Sequence, residues 1–208
     1  MNNRIKNKET EQLLTRKKVN VFQDKTYKLF VIFGLTCSGK STLIDLLEHQ
    51  KEFVVYDWGN VFKPYIPNVS LKREDITKQI KNIIKERGRF FFVDKVIESV
   101  TNQVRIDTKN IVVCGARHPL EIAYLFSRFQ FYELIYIHSD TELRFNRSLL
   151  RSREGDAKSF EEFIFHDVCE LKEGILDIMY DFHYFTIVNN STKRDYENKI
   201  IEKFNVIT

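Results

Sequence analysis

The sequence predicts an α/β fold in which helices cover both faces of a five-stranded parallel sheet, giving three layers. The first observation behind this prediction is the alternation of short apolar runs with amphipathic segments along the chain. The second is the length of 208 residues, which suits one well-covered sheet better than two separate domains. The third is that the chain has no internal repeat and no low-complexity linker.

Five apolar runs carry the predicted strands. They lie at residues 27–33, 53–56, 110–114, 131–138 and 183–188. In an open parallel sheet, ligands bind beyond the carboxyl ends of the strands. The residues that directly follow each strand are therefore the first candidates for a functional site.

Helical periodicity fills the segments between these strands. Helices are predicted at residues 42–50, 71–87, 89–104, 118–129, 141–153 and 159–180, with a closing helix that ends near residue 204. One of these assignments has an alternative, because the apolar residues 90–93 taken alone also fit a short strand.

The turn after the first strand carries a specific motif. Gly34, Gly39, Lys40 and Ser41 match Gly-x4-Gly-Lys-Ser/Thr, the P-loop or Walker A pattern. The glycines let the backbone wrap a polyphosphate, and the N–H groups of the following helix add donors and a favourable dipole. Lys40 supplies charge to the outer phosphates and Ser41 a hydroxyl to Mg2+, which makes ATP and Mg2+ the predicted ligands. The predicted contacts of this loop are Gly34, Thr36, Cys37, Ser38, Gly39, Lys40, Ser41 and Thr42.

The net charge of +4 is unevenly distributed. Residues 1–26 contain seven basic and three acidic residues, an excess that equals the net charge of the whole chain. We interpret this basic leader as a solvated, partly helical segment, and contact with nucleic acid is the alternative. Residues 27–208 are then one domain.

Nothing in the sequence predicts a membrane or secreted protein. No apolar run approaches the roughly 20 residues that cross a bilayer, and the N-terminus lacks the apolar core of a secretory signal. The three cysteines, Cys37, Cys114 and Cys169, are odd in number and widely spaced. This usage fits a reducing compartment and predicts a cytoplasmic location.

Four arginines follow the fourth predicted strand. Arg144, Arg147, Arg151 and Arg153 lie in residues 144–160, which we predict to form a lid. Spacings of three and four place the first three on one helix face, where guanidinium groups would neutralise a phosphoryl group in transfer. The alternative is a solvated face whose arginines pair with Asp140, Glu142 and Glu154.

Two further candidates follow other strands. Arg117 comes after the third strand, where it would contact a phosphate-bearing substrate or, alternatively, pair with Glu121. P-loop enzymes usually place a carboxylate near Mg2+ at the end of an inner strand, but this strand ends in Cys114. The nearest carboxylate is Asp57 after the second strand, which fits a helix N-cap equally well.

The order of these motifs resembles the nucleoside monophosphate kinase group, and most closely its dephospho-CoA-kinase-like and deoxynucleoside monophosphate kinase-like proteins. Besides the P-loop, the motifs are Asp-x-Gly-Asn at 57–60, Val-Cys-Gly-Ala-Arg-His-Pro-Leu-Glu-Ile at 113–122, the arginine series and Phe-Thr-Ile-Val-Asn-Asn at 185–190. Relatives often carry Asp where Cys114 stands and an acid where Asn60 stands.

The resemblance implies an adenylate-kinase-like core with a mobile, arginine-rich lid over ATP. Arg147, Arg151 and Arg153 would be lid arginines, Arg117 an acceptor-site arginine, and Asn189 part of the loop beside the adenine.

The resulting expectation is an ATP- and Mg2+-dependent kinase that transfers the γ-phosphoryl group to a nucleotide-like small molecule, of the deoxynucleoside monophosphate or dephospho-CoA class. Its predicted catalytic residues are Lys40, Asp57, Arg117, Arg147, Arg151 and Arg153. The alternatives are a nucleotide-binding regulatory module without catalysis, and a kinase acting on nucleic-acid ends or modified bases.

Overall fold

The computed structural model describes three stretches of the chain, residues 27–66, 73–153 and 155–206. The predicted basic leader, residues 1–26, lies outside the described residues, as do the start of the predicted helix 71–87 and Glu154 of the predicted lid.

A single parallel sheet forms the centre of the described chain. Its strands are β1 (Lys28–Phe33), β2 (Phe53–Asp57), β3 (Asn110–Cys114), β4 (Phe131–His138) and β5 (Phe185–Val188). Their order is β2-β3-β1-β4-β5, so that β1 lies in the middle, hydrogen-bonded to β3 on one side and to β4 on the other. The turn that follows β1 therefore lies at the centre of the carboxyl edge of the sheet.

Helices connect the strands in the predicted alternation. They are α1 (Lys40–Leu47), α2 (Gly59–Phe62), α3 (Arg73–Arg87), α4 (Phe91–Gln103), α5 (Pro119–Phe126), α6 (Thr141–Arg151), α7 (Phe160–Glu170), α8 (Leu176–Asp181) and α9 (Lys193–Phe204). A 3-10 turn, Lys63–Tyr65, follows α2, and a π-helical turn, Leu171–Ile175, joins α7 to α8. None of the helices in the described ranges is long and apolar enough to cross a membrane.

The alternating side chains of β1 divide the core into two layers. Leu29, Val31 and Phe33 belong to a cluster completed by residues of α4, α5 and α8. Phe30 and Ile32 belong to a second cluster, with residues of α1 and α9. Because successive strand residues point to opposite faces, an apolar strand that is buried on both faces needs helices on both sides. The predicted three-layer architecture is confirmed.

Two helix assignments merit comment. Residues 91–103 form α4, so the helical interpretation of this stretch is confirmed and the strand alternative is wrong.

The predicted continuous helix 159–180 is wrong at its centre, where Gly174 has φ 135° inside the π-helical turn. A β-carbon there would lie 2.5 Å from the carbonyl oxygen of Arg117. Close packing of this helix against the β3–α5 connection therefore requires glycine and breaks the helix.

We expect the substitution Gly174→Ala to destabilise the protein by about 3 kcal/mol, because an unfavourable φ and a backbone clash act together. The free energy of unfolding would be measured by guanidinium titration. Gly155→Ala is the matched control, since Gly155 also has a positive φ but no atom lies within 4 Å of the added carbon. An equal loss in the two variants would contradict the role of packing at Gly174.

Candidate functional site

The phosphate loop, residues 34–39, connects β1 to the first residue of α1 at the carboxyl edge of the sheet. Gly39 occupies the N-cap position with φ 113°, and a β-carbon there would collide with the side-chain amide of Asn189. As a glycine, the N-cap residue has no side chain to cap this helix, so the first-turn N–H groups depend on other acceptors. Such a helix start can bind an anion.

Lys40 turns back into this loop. Its Nζ donates hydrogen bonds to the carbonyl oxygens of Gly34 at 2.7 Å and Leu35 at 2.8 Å. Burial lowers the pKa of Lys40, and the anionic form of nearby Glu170 is among the groups that oppose this effect. The loop's own carbonyls thus hold the ammonium at the place where a polyphosphate would need positive charge.

Two serines are candidates to contact a phosphate group and a metal ion bound to it: Ser38 in the phosphate loop and Ser41 in the first turn of α1. The Ser38 hydroxyl is buried and has no hydrogen-bond partner among the described residues, so a phosphate oxygen would satisfy an otherwise costly group. Ser41 lies in the first turn of α1 and is exposed. In residues 27–66, 73–153 and 155–206, no cluster of three or more His, Cys, Asp or Glu is placed to hold a metal.

Residues near the C-terminal end of the chain donate hydrogen bonds to the backbone of Ser38 and Gly39 in the phosphate loop. Asn189 follows β5, and its amide Nδ2 donates to the Ser38 carbonyl oxygen at 2.8 Å. Tyr196 of α9 donates its hydroxyl to the Gly39 carbonyl oxygen at 3.1 Å. Asn189 therefore contacts the loop backbone, while Tyr196 was not among the predicted site residues.

Arg144 is the most buried arginine of α6. Its guanidinium makes a bidentate pair with the carboxylate of Asp167 on α7, and its Nε donates to the Ser139 carbonyl oxygen at 2.9 Å. A weaker bond of 3.3 Å reaches the Thr36 carbonyl oxygen in the phosphate loop. The expectation of a phosphate-facing row that includes Arg144 is wrong, because burial commits this guanidinium to Asp167 and backbone carbonyls.

The other predicted lid arginines occupy different positions. Arg147 donates to the Ser139 hydroxyl at 2.9 Å and to the Asn189 carbonyl oxygen at 3.0 Å. Arg151 pairs with Asp156, which also accepts the backbone N–H of Arg153 at 2.9 Å. Although burial acts to lower it, the pKa of Arg151 is raised by the hydrogen bond to Asp156 and by the nearby carboxylates of Asp156 and Glu170. Arg151 thus lies within electrostatic reach of Glu170, whose carboxylate contacts the phosphate loop.

A buried acid that the sequence interpretation missed joins two predicted groups. Glu170, at the end of α7, accepts the backbone N–H of Thr36 at 3.0 Å and the Thr36 hydroxyl at 2.5 Å. The same carboxylate accepts a hydrogen bond of 3.3 Å from Arg117, which also pairs with Glu173 at 3.7 Å. Within the part of the chain that the structure describes, Glu121, the predicted alternative partner, forms no ion pair with Arg117; the partners are Glu170 at the end of α7 and Glu173 in the π-helical turn.

Glu121 has a distinct environment at the start of α5. Burial raises its pKa to about 7, although backbone hydrogen bonds from Arg117 and His118 and the charges of Arg89 and Arg117 act in the opposite direction. The guanidinium Nη2 of Arg89 donates a hydrogen bond of 2.8 Å to Nε2 of His118. The residues after β3 therefore bring the basic groups of Arg89 and Arg117 close to the Glu121 carboxyl, whose pKa is about 7.

The position usually occupied by an acid, at the end of β3, holds a neutral thiol. Burial raises the pKa of Cys114 to about 12, with the charge of Lys40 acting against this rise. Asp57 ends β2, is exposed and accepts the backbone N–H of Gly59 at 2.9 Å, the hydrogen bond of an Asx turn. Trp58 occupies the N-cap position of α2, so the alternative interpretation of Asp57 as the N-cap is wrong. Neither group by itself supplies a metal cage at this edge of the sheet.

A signal for the missed acids exists in the sequence. Phe163, Asp167 and Glu170 are spaced by four and three residues, and all three are buried on the same face of α7. Acids at core-facing helical positions need partners, because an unpaired buried carboxylate is costly. This spacing was the signal that could have identified them as candidates, but their partners lie too far away in sequence to be named from spacing.

No family model matches the chain. It is nevertheless similar to UPF0200 proteins over most of its length. One from Thermococcus onnurineus is 28% identical over 178 residues, which is 84% of this chain and 95% of that protein. Another from Pyrobaculum aerophilum is 27% identical over 167 residues, 79% of this chain and 88% of that protein. One from Pyrococcus horikoshii is 37% identical over 98 residues, 46% of this chain and 52% of that protein.

Solved structures of small-molecule kinases share the fold. A gluconokinase from Sinorhizobium meliloti has a TM-score of 0.55 at 12% identity, over 87% of this chain and 93% of that chain. A shikimate kinase from Acinetobacter baumannii, in complex with shikimate, has a TM-score of 0.53 at 16% identity, over 87% and 94%. The chain therefore shares with these structures the predicted three-layer α/β fold around a five-stranded parallel sheet. The finer resemblance to dephospho-CoA-kinase-like and deoxynucleoside monophosphate kinase-like proteins stays a prediction.

We expect Asp167→Asn to cost about 3 kcal/mol of unfolding free energy, because it leaves the buried guanidinium of Arg144 without its counter-charge. Guanidinium titration would measure the loss. Glu98→Gln breaks the exposed pair with Lys95 and serves as the control, with a much smaller expected effect. Similar losses in the two variants would contradict a structural role for the buried pair.

The raised pKa of Glu121 predicts a pH dependence of stability. Between the ordinary value of 4.5 and about 7, the folded protein holds a proton that the unfolded chain has released. The contribution of this group to stability therefore falls as pH rises through that window. We expect Glu121→Gln to flatten the decline in unfolding free energy between pH 4.5 and 7, measured by denaturant titration at several pH values. An unchanged slope in this variant would show that other groups cause the decline.

Proposed function

We propose that this protein is an ATP- and Mg2+-dependent kinase that transfers the γ-phosphoryl group to a nucleotide-like small molecule. The observation that carries the proposal is the short connection between the phosphate loop and an acceptor-side arginine. Glu170 contacts both Thr36 of the loop and the guanidinium of Arg117. Donor and acceptor groups are therefore separated by about one side chain, which a direct transfer between two bound substrates requires.

The donor side is built from the phosphate loop and the start of α1. Its residues for the polyphosphate would be Gly34, Thr36, Cys37, Ser38, Gly39, Lys40, Ser41 and Thr42. The unsatisfied Ser38 hydroxyl and the uncapped helix start support this assignment. Ser41 would bind Mg2+, which when bound neutralises charge on the phosphates. Asn189, which braces Ser38, would hold the loop and border the adenine.

The acceptor side is the end of β3. Arg117 keeps 44% of its side chain exposed, so a substrate can reach it, and the neighbouring Arg89 adds positive charge. A guanidinium can bind a phosphate through two parallel hydrogen bonds. We propose that the acceptor bears a phosphate and belongs to the deoxynucleoside monophosphate or dephospho-CoA class.

Transfer would depend on positioning and on charge. An acceptor oxygen forms a bond to the γ-phosphorus while the bond to ADP breaks, and negative charge spreads over the transferred oxygens. Lys40 would move from the loop carbonyls to this group, and Arg147, Arg151 and Arg153 would add charge from the lid. Asp57 would act through water on the metal. Closure of the lid would exclude water and so suppress hydrolysis.

A second candidate function is a nucleotide-binding regulatory module without catalysis. The observation in its favour is the neutral, buried thiol of Cys114 at the place where a carboxylate is usual. A kinase acting on nucleic-acid ends stays a prediction, because the basic leader on which it depends lies outside the described residues.

The proposed kinase activity is tested with Lys40→Met, which keeps much of the length of the side chain but removes its charge. The wild type is incubated with ATP, Mg2+ and a panel of nucleoside monophosphates, deoxynucleotides and dephospho-CoA, and phosphorylated products are quantified. We expect product with at least one acceptor and a loss of about a thousandfold or more in the variant. Lys95→Met, on the exposed face of α4, is the control.

The panel also separates the two candidate functions. Tight ATP binding by the wild type with no phosphorylated product would favour the regulatory module. Full transfer by Lys40→Met would contradict the assignment of the loop as the donor site.

A further inference from the structure

We propose that Glu170 is a carboxylate latch, which occupies the terminal-phosphate position of the phosphate loop until ATP displaces it. The inference rests on the proposed function, since it concerns how the same loop accepts its nucleotide. It assigns Glu170 as a positioning residue that acts through Thr36 and Arg117.

The latch uses both oxygens of one buried carboxylate. Oε2 accepts the backbone N–H of Thr36 at 3.0 Å, and Oε1 accepts its hydroxyl at 2.5 Å. Glu170 is only 2% exposed, so water offers little competition for these hydrogen bonds. Charge-assisted hydrogen bonds in such surroundings are stronger than those at the surface.

In the proposed donor site, Thr36 would face the end of a bound polyphosphate. Lys40, which serves the outer phosphates in this motif, hydrogen-bonds to the adjacent Leu35 and to Gly34. Two donors that a terminal phosphate would use, the Thr36 N–H and the Lys40 ammonium, are therefore both satisfied from within the protein. In this structure, neither donor is available to a ligand without the loss of an internal hydrogen bond.

A terminal phosphate and the Glu170 carboxylate exclude one another. Both are anionic, and an ionised carboxylate only accepts hydrogen bonds, so neither can donate to the other. Two anions at the same N–H group would also repel strongly in a buried site. Binding of ATP must therefore move Glu170 away from Thr36.

Arg117 gives the displaced carboxylate a partner. Its guanidinium lies 3.3 Å from Oε1, so Glu170 can leave Thr36 by rotation of its side chain and remain paired. The helix itself is held by the close contact of Gly174 with the Arg117 backbone, four residues further on. The latch therefore moves as a side chain, while the backbone around it stays in place.

The consequence is discrimination between ATP and ADP. Only a nucleotide with a γ-phosphate competes for the Thr36 N–H, so ATP must overcome the latch and ADP does not. After transfer the γ-phosphate has left the loop, and Glu170 returns to Thr36. Selectivity arises because binding is coupled to the release of an internal contact.

Calorimetric titration of the full chain, with Mg2+ and either a non-hydrolysable ATP analogue or ADP, tests the latch. We expect Glu170→Gln to bind the ATP analogue about tenfold more tightly than the wild type, because the competing charge is gone. Its affinity for ADP should change by less than about threefold, since ADP does not compete with the carboxylate. Thr36→Val removes one hydrogen bond to the latch from the other side and should shift ATP-analogue affinity in the same direction.

Glu173→Gln is the matched control. Glu173 also pairs with Arg117, but it has no contact with Thr36 among the described residues, and we expect its loss to leave both affinities as in the wild type. Circular dichroism melts verify that each variant is folded.

Equal or weaker binding of the ATP analogue by Glu170→Gln, with normal binding by the wild type, would overturn the latch and leave the proposed function standing. The same holds if Glu170→Gln gains equally for ADP and the ATP analogue. Failure of the wild type and both latch variants to bind either nucleotide would overturn the proposed function and the latch together.

Discussion

The architecture of the site depends on hydrogen bonds that hold the backbone of the phosphate loop. Asn189 and Tyr196 bind the carbonyl oxygens of Ser38 and Gly39 from the end of the chain. Arg144 and Glu170 bind Thr36 from α6 and α7. A glycine-rich turn loses much conformational entropy when it is ordered, so contacts of this kind are needed to give it one shape. The second half of the chain thus determines the form of a motif in the first.

The arginines of α6 divide this work between structure and chemistry. Arg144 is buried and paired with Asp167, and it links α6 to α7. Arg151 remains half-buried and within electrostatic reach of Glu170. Because α7 carries both Asp167 and Glu170, one helix face connects the arginine helix, the phosphate loop and Arg117. Side chains of α7 thus contact all three of these elements.

Most of the fold was predictable because its signals are local. An apolar run such as residues 110–114 has the length and flanking turns of a buried strand, and the structure places β3 at the same residues. The break in the predicted helix 159–180 was missed, since Gly174 is required by the backbone of Arg117 and not by its own neighbours in sequence. The role of Arg144 was missed for the same reason. Its spacing places it on the same helix face as Arg147 and Arg151, but Arg144 is buried and the other two are partly exposed.

The sequence by itself determined the order of strands and helices and the phosphate loop, because periodicity and a contiguous motif act over a few residues. Only the tertiary structure decided which charged groups meet. Thr36 and Glu170 are 134 positions apart, and their contact depends on the turn after the central strand lying against the end of α7. Burial then makes an internal pairing compulsory, since a carboxylate removed from water must find donors nearby. Those donors are fixed by the packing of distant elements, which residue spacing does not encode.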